Sequence, residues 1–301
     1  MDTNPILKFL GFSSRDRLVI IHTDDIGMCQ ASIQAFSELA VVGLISSGAT
    51  MVPSSWFPQV ATYCRQNPKV DIGVHLTLTS EWDSYRWSPL STHSRNSGLI
   101  DSEGYFYRSS EEVQLHGTPE SVEKELQSQV DRAISAGLDI THLDTHMNTV
   151  AHPKFIMSYI HLAVQHKLPF LFPRLDEAGY TQLGMDAEIA SIAADYVHIL
   201  EEQGIPLVDY VSGLNLAQPL NRLEQAKQSL SDLPVGITHY IIHPSIDTPE
   251  LRAIAPDWQC RIADYQTFMD EDLRKFINNI GLQLIGYKSL KYLLATIHFE
   301  E

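Results

Sequence analysis

Cysteine is scarce in this chain. The three residues, Cys29, Cys64 and Cys260, are far apart, odd in number and never in a CxxC pair, so a disulfide framework is not expected. Long apolar runs are missing too, and none approaches the 18 or so residues of a membrane-spanning helix. The opening MDTNPILKFLGFSSRDR lacks a basic region followed by an apolar stretch and a cleavage site. No secretory signal is therefore expected, and the cytoplasm is the expected location. Basic residues are few: 21 Lys and Arg face 37 Asp and Glu, for a formal charge of −16, with no basic run. Binding to nucleic acid needs clustered Lys and Arg that displace counterions, so neither nucleic acid nor an anionic membrane is an expected partner. The negative balance reads as solubility. Internal repeats and low-complexity tracts are also lacking.

What is present is a chain of 301 residues with 44% hydrophobic and 19% charged residues, enough to bury a full core. Short β-like runs alternate with helical patterns over most of its length. Strands are predicted at 17–22, 44–52, 70–79, 140–146, 169–173, 206–211, 237–242 and 282–287. Helices are predicted between them, at 31–42, from 53–55 onward, from 118 to about 136, and at 153–167, 186–203, 221–232 and 261–278, with a short one at the end. Gly43 and Gly137 supply helix stops, and Pro119 and Pro153 supply starts. Strands separated by helices pair in parallel through right-handed crossovers. About eight such units predict an α/β fold: one domain over 1–301, a distorted parallel (β/α) barrel of seven to eight strands like a TIM barrel. One stretch, 80–117, is irregular and rich in aromatics (Trp82, Tyr85, Trp87, Tyr105, Phe106, Tyr107). A loop that long is usually functional or mobile.

In a parallel barrel the working residues sit at the C-terminal ends of strands. The polar residues that break the apolar runs fall there repeatedly: Asp24 and Asp25, His75, Asp144 and His146, Arg174, and His243. Adjacent carboxylates in a regular strand would face opposite ways. At a strand end, where the chain turns, Asp24 and Asp25 can address one pocket, one as a ligand and one as a base, although an Asp there can equally cap a helix. His75 shares a strand face with Gly73 and Thr77, and taken singly is as readily a hydrogen-bonded core residue. His142, Asp144 and His146 share a face of one strand, and three such groups are costly to bury unless paired or metal-bound. A carboxylate with two imidazoles is a common catalytic metal set, with the remaining His142 and Asp144 available to orient the imidazoles. His243, after a buried strand, is open to three readings: general acid, ligand or strand-end cap.

Four segments occur in order: TDDIG at 23–27, GVHLTLT at 73–79, THLDTHMNTV at 141–150 and ITHYIIHP at 237–244. Together they resemble the YdjC-like carbohydrate deacetylases of the wider polysaccharide deacetylase superfamily, over nearly the whole chain. The resemblance implies a distorted β/α barrel that hydrolyses the N-acetyl group of an amino sugar, such as a short chitin-type oligosaccharide. By motif position it implies Asp25, His75 and His146 as ligands of one divalent ion, Asp24 as general base and His243 as general acid. It also implies that Arg174, in FPRLD, lies near the pocket. Two imidazoles and a carboxylate suit zinc, and magnesium is the other expectation. The chain departs from the family at Asn148, where the strand-four motif often continues with another histidine.

Three other readings are weighed. The spacing His142-x-Asp144 with a distant His copies a non-haem metal oxygenase triad, though such sites usually belong to antiparallel folds. A glycosidase using Asp24 and a second carboxylate leaves the histidines unexplained. A catalytically weakened sugar-binding homologue is compatible with Asn148. The expected partner is an acetylated amino sugar, and a homodimer is the one self-association left open. The 80–117 stretch is read either as a stacking surface for sugar rings or as packing over the barrel.

Overall fold

The structure, a computed structural model, describes residues 2–296. Its frame is seven strands: β1 (Arg17–Ile26), β2 (Ser47–Thr50), β3 (Ile72–Leu76), β4 (Ile140–Thr145), β5 (Tyr210–Gly213), β6 (Gly236–Ile242) and β7 (Gln283–Leu284). All pair in parallel in the order β4-β3-β2-β1-β6-β5, with β7 alongside the start of β1. The pairing follows from the connections, since each crossover is long enough to carry a helix over the sheet.

The ring closes between β4 and β5 through single bridges. Leu143 pairs with Phe170, and Pro173 with Val208. The backbone N–H of Leu171 donates to Leu143 at 2.9 Å, and that of Arg174 to Val208 at 2.7 Å. The predicted strand at 169–173 thus bridges its neighbours without forming a ladder. Proline at both ends of it, Pro169 and Pro173, has no N–H to give. The fold is the expected distorted parallel barrel, with seven strands and one irregular stave.

Two predicted helices form at their predicted caps, whereas those expected to open at 53–55 and at Pro153 begin later, at Phe57 and Ile156. Helix Gln30–Val42 ends at Gly43 with φ 77°, and Thr118 caps Pro119–Ser135 by accepting the N–H of Ser121. The helix predicted at 261–278 is two helices, Trp258–Met269 and Glu271–Asn279. Asp270 ends the first, and its carboxylate accepts the N–H of Asp272 at the start of the second. A further helix, Pro249–Ile254, had no counterpart in the sequence reading.

The 80–117 stretch holds one regular helix, Ser110–His116, closed by a Ser109–Glu112 capping box. Two buried polar side chains of helix Pro119–Ser135 hold the stretch and the residue after β3 to that helix. Glu125 accepts the backbone N–H groups of Leu90 and Ser91 at 3.1 and 2.8 Å. Gln129 exchanges hydrogen bonds with both backbone groups of Thr77, at 3.0 and 2.7 Å. Among the described residues no helix is long and apolar enough to cross a membrane.

Candidate metal centre

The end of β1 sets the site. Its register with β2 shifts between Thr23 and Ile26, and Asp25 adopts φ 59°. A single left-handed residue cancels the alternation of a strand, and Asp tolerates that conformation better than most side chains. Asp24 and Asp25 therefore address the same pocket although they are adjacent. A second kink follows β4, where Met147 and Asn148 both take left-handed φ values, 52° and 53°, immediately after His146. Asn148 is exposed.

Asp25, His75 and His146 converge, with one donor atom of each within 4.8 Å of the others. His75 Nε2 lies 3.4 Å and His146 Nδ1 3.1 Å from Asp25 Oδ1. The outer ring nitrogens are already engaged. His75 Nδ1 meets Asp144 at 2.9 Å, and His146 Nε2 meets Glu81 at 3.2 Å. Asp25 Oδ2 accepts from Arg261 Nη1 at 2.8 Å, whereas Oδ1, also buried, has no hydrogen bond. An orphaned carboxylate oxygen faced by two imidazole nitrogens, each oriented from behind, fits a divalent cation.

The charges around this point agree with that fit. Asp24, Asp25, Asp144 and Glu81 gather about His75 and His146, and Arg261, which also pairs with Asp257 at 2.8 Å, is the cation set against Asp25. Burial alone would raise the Asp25 carboxyl, but Arg261 and His146 outweigh it and hold the carboxyl well below its usual range. Burial opposes the charged form of His75, yet Asp144 and Asp24 push it well above the usual imidazole value. His146 is likewise opposed by burial but raised by Glu81 and Asp25 to about 9. Protons and a cation therefore compete for the same negative pocket.

Asp24 belongs to a neighbouring buried set with His22, Asp144 and His239, one donor atom of each again within 4.8 Å of the others. Its Oδ1 pairs with His22 Nδ1 at 2.7 Å; its Oδ2 is 3.7 Å from His75 Nε2 and 3.9 Å from His243 Nε2. Burial acts to raise the Asp24 carboxyl, but His75, His22 and His243 together hold it below the ordinary range. His243 leaves the end of β6 with its backbone N–H on Asp264, at 2.9 Å, and Asp264 is anchored by Arg222 at 2.6 Å.

Two expectations need correction. Arg174 is not near this pocket: it pairs with Glu201, donates to the carbonyl of Asp2 at 2.6 Å and lies 3.7 Å from Asp209. Asp209 in turn holds the backbone of Ile237, at the start of β6, whereas His243 follows the end of that strand. The irregular stave places its C-terminal end level with the starts of β5 and β6, at the other end of the barrel. His142 orients neither ligand and instead meets His22, Nε2 to Nε2, at 2.8 Å. Asp144 does take the expected place behind His75.

Of the aromatic stretch, Trp82 and Trp87 are buried, with the Arg261 guanidinium over Trp82 at 5.6 Å and Trp87 beside His146. They pack against Arg261 and His146 and do not offer an open stacking face. Sequence reasoning overlooked Arg261, Glu81 and His22. Arg261 sits in helix Trp258–Met269, remote in sequence, on a buried face that also carries Asp264 and Thr267, and nothing local marks it. Glu81 was hidden in an irregular loop. In the sequence His22 is simply the last residue of an apolar strand.

A sequence model of the YdjC-like proteins matches residues 18–279. A carbohydrate deacetylase of Thermus thermophilus is 32% identical over 272 residues, covering 90% of this chain and 93% of its own. One from Brevibacillus brevis is 25% identical over 273 residues, covering 90% and 99%. Among solved structures, a putative cellobiose-phosphate cleavage protein of Enterococcus faecalis shares the fold. Its TM-score is 0.73 at 21% identity, with 91% of this chain and 99% of that one covered.

Proposed function

This chain belongs to the YdjC-like protein family, and from that premise we propose that it is a metal-dependent carbohydrate deacetylase that hydrolyses the N-acetyl group of an amino sugar or short N-acetylglucosamine-type oligosaccharide. The observation that carries the reading is the unpartnered Asp25 Oδ1 facing His75 Nε2 and His146 Nδ1. Asp25, His75 and His146 would hold the ion, zinc or magnesium by their chemistry. When bound, such an ion lowers the pKa of a coordinated water and polarises the acetyl oxygen.

The chain's own groups supply the rest. Asp24, kept ionised, has Oδ2 turned toward the ligand pocket and can accept the proton of the attacking water. His243 Nε2 stands 3.9 Å from Asp24 Oδ2 and delivers a proton to the departing amine nitrogen. Its backbone is fixed by Asp264, so the ring approaches from a set direction. Asp144 and Glu81 hold the tautomers that leave His75 Nε2 and His146 Nδ1 free to ligate. Arg261 covers Asp25 Oδ2 and so confines that carboxylate to one ligating oxygen.

The test is acetate release from a panel of N-acetylated sugars, before and after chelation and with zinc or magnesium restored. Acetate that appears only with metal supports the reading. Release unaffected by exhaustive chelation, or none from any N-acetyl sugar, overturns it.

A further inference from the structure

Beneath the ligands the barrel interior is polar. His22, His142 and His239 are fully buried there, in a place that parallel barrels ordinarily fill with branched aliphatic side chains. Side chains meet in sequence across the interior: Asp24 Oδ1 to His22 Nδ1 at 2.7 Å, His22 Nε2 to His142 Nε2 at 2.8 Å, His142 Nδ1 to Thr141 Oγ1 at 2.9 Å, and Thr141 Oγ1 to Asp71 Oδ1 at 2.6 Å. A carboxylate only accepts, so His22 Nδ1 must carry the hydrogen it gives to Asp24. The two Nε2 atoms then share a single proton between them, which binds the orientation of His22 to that of His142.

The ring of His142 has little freedom of its own. It stacks on Tyr287 with centroids 3.8 Å apart and planes 11° from parallel. On its other side is Gly73, where an added Cβ would come within 2.5 Å of the ring. His239 bonds the Tyr287 hydroxyl at 2.8 Å and packs on His22 with centroids 4.5 Å apart. The glycine of GVHL and the first histidine of HLDTH thus meet in one contact.

We propose that His22 is a positioning residue for Asp24, and that His142, seated against Gly73, holds His22 in place. By claiming Asp24 Oδ1, His22 leaves Oδ2 as the one oxygen turned to His75 and His243. Without that claim the carboxylate rotates about its last bond and the base loses its aim. The inference rests on the proposed role of Asp24 as base.

The experiment uses the metal-loaded chain and acetate release from the β-1,4-linked dimer of N-acetylglucosamine. His22→Phe and Gly73→Ala should lower kcat by about 10- to 100-fold, the effect usual for a group that orients a catalytic side chain, with KM and bound metal unchanged. His22→Asn, whose amide nitrogen can stand in for Nδ1, should recover most of the loss, which a merely structural defect would not allow. In the native chain, nitrogen NMR of labelled histidine should find the His22 proton on Nδ1. That measurement and Gly73→Ala decide the matter if His22→Phe does not fold. An unchanged kcat in His22→Phe or Gly73→Ala, or a proton absent from His22 Nδ1, overturns the inference. Asp24→Asn separates the two claims: full activity there removes the base itself, whereas a dead Asp24→Asn beside a fully active His22→Phe removes only the positioning role.

Discussion

Two buried charged clusters occupy opposite ends of this barrel, and they differ in how completely their polar atoms are paired. At the N-terminal end of β6, Asp209 accepts from Asn4 at 3.0 Å and from the backbone of Ile237 at 2.8 Å, while Arg174 is shared among Glu201, Asp2 and Asp209. No buried side-chain atom of Asn4, Arg174 or Asp209 is left without a partner among the described residues. At the C-terminal end, Asp25 Oδ1, Asp144 Oδ2 and His243 Nδ1 are buried without a hydrogen bond, and only imidazole nitrogens face the two carboxylate oxygens, His146 Nδ1 at 3.1 Å from Asp25 Oδ1 and His22 Nε2 at 3.5 Å from Asp144 Oδ2. A satisfied cluster is complete as it stands and supports the fold. An unsatisfied one is costly to maintain, and that cost is understandable where a bound ion or substrate completes it.

The contrast can be broken from either end. The largest effect is expected from Asp24→Asn, which removes the proposed base: kcat for acetate release should fall by about 10²- to 10⁴-fold while bound metal, counted by atomic emission, stays near one per chain. At the other end, Arg174→Met leaves Asp209 and Glu201 without their cation. Stability in urea should drop by about 3–5 kcal/mol, as for other broken buried pairs, with kcat and metal content unaltered. Lost activity with intact stability would erase the distinction between the two ends.

Acidity sharpens it further. His146, with an ordinary value of 6.5 in the unfolded chain and about 9 in the fold, binds its proton more tightly when folded. In metal-free protein that contribution, about 3 kcal/mol, is full below pH 6.5 and disappears as pH rises through 9. The melting temperature of the metal-free chain should therefore fall across pH 6.5–9. Stabilisation by added zinc should grow over the same window, because the ion displaces the proton. A flat profile would mean that His146 has no such proton to lose. The smallest effect is expected from Glu81→Gln, which keeps shape but weakens the hold on His146 Nε2. Metal affinity in a competition titration should fall by about 10-fold, the low end for such partners.

Much of this site could be read in advance because strand periodicity carries it. Alternation placed His75 and Asp144 on inward faces, and the strand-end positions of Asp25 and His146 followed from the barrel rule. His142 was put on the right face but assigned the wrong neighbour, since a face says which way a side chain points and not which strand it meets. Arg174 was misplaced for a related reason. It does follow a predicted strand, but that strand is a proline-bounded stave displaced along the barrel, so its end lies at the wrong rim. Trp82 and Trp87 stand out in the sequence, yet whether they are open or buried depends on how the loop folds back, with Trp87 Nε1 donating to the Thr79 carbonyl at 2.7 Å.

By itself the sequence determined the parallel barrel, its helix caps and the inward set of Asp and His residues, because these rest on local periodicity and on which residue types tolerate burial. Only the tertiary structure decided which buried groups complete one another. Arg261 reaches Asp25 across 236 positions, and His142 reaches His22 across 120. Pairings of that kind depend on the register of strands and the lie of helices, which no local pattern encodes. They also bring His75 Nε2 and His146 Nδ1 to an Asp25 oxygen that accepts no hydrogen bond.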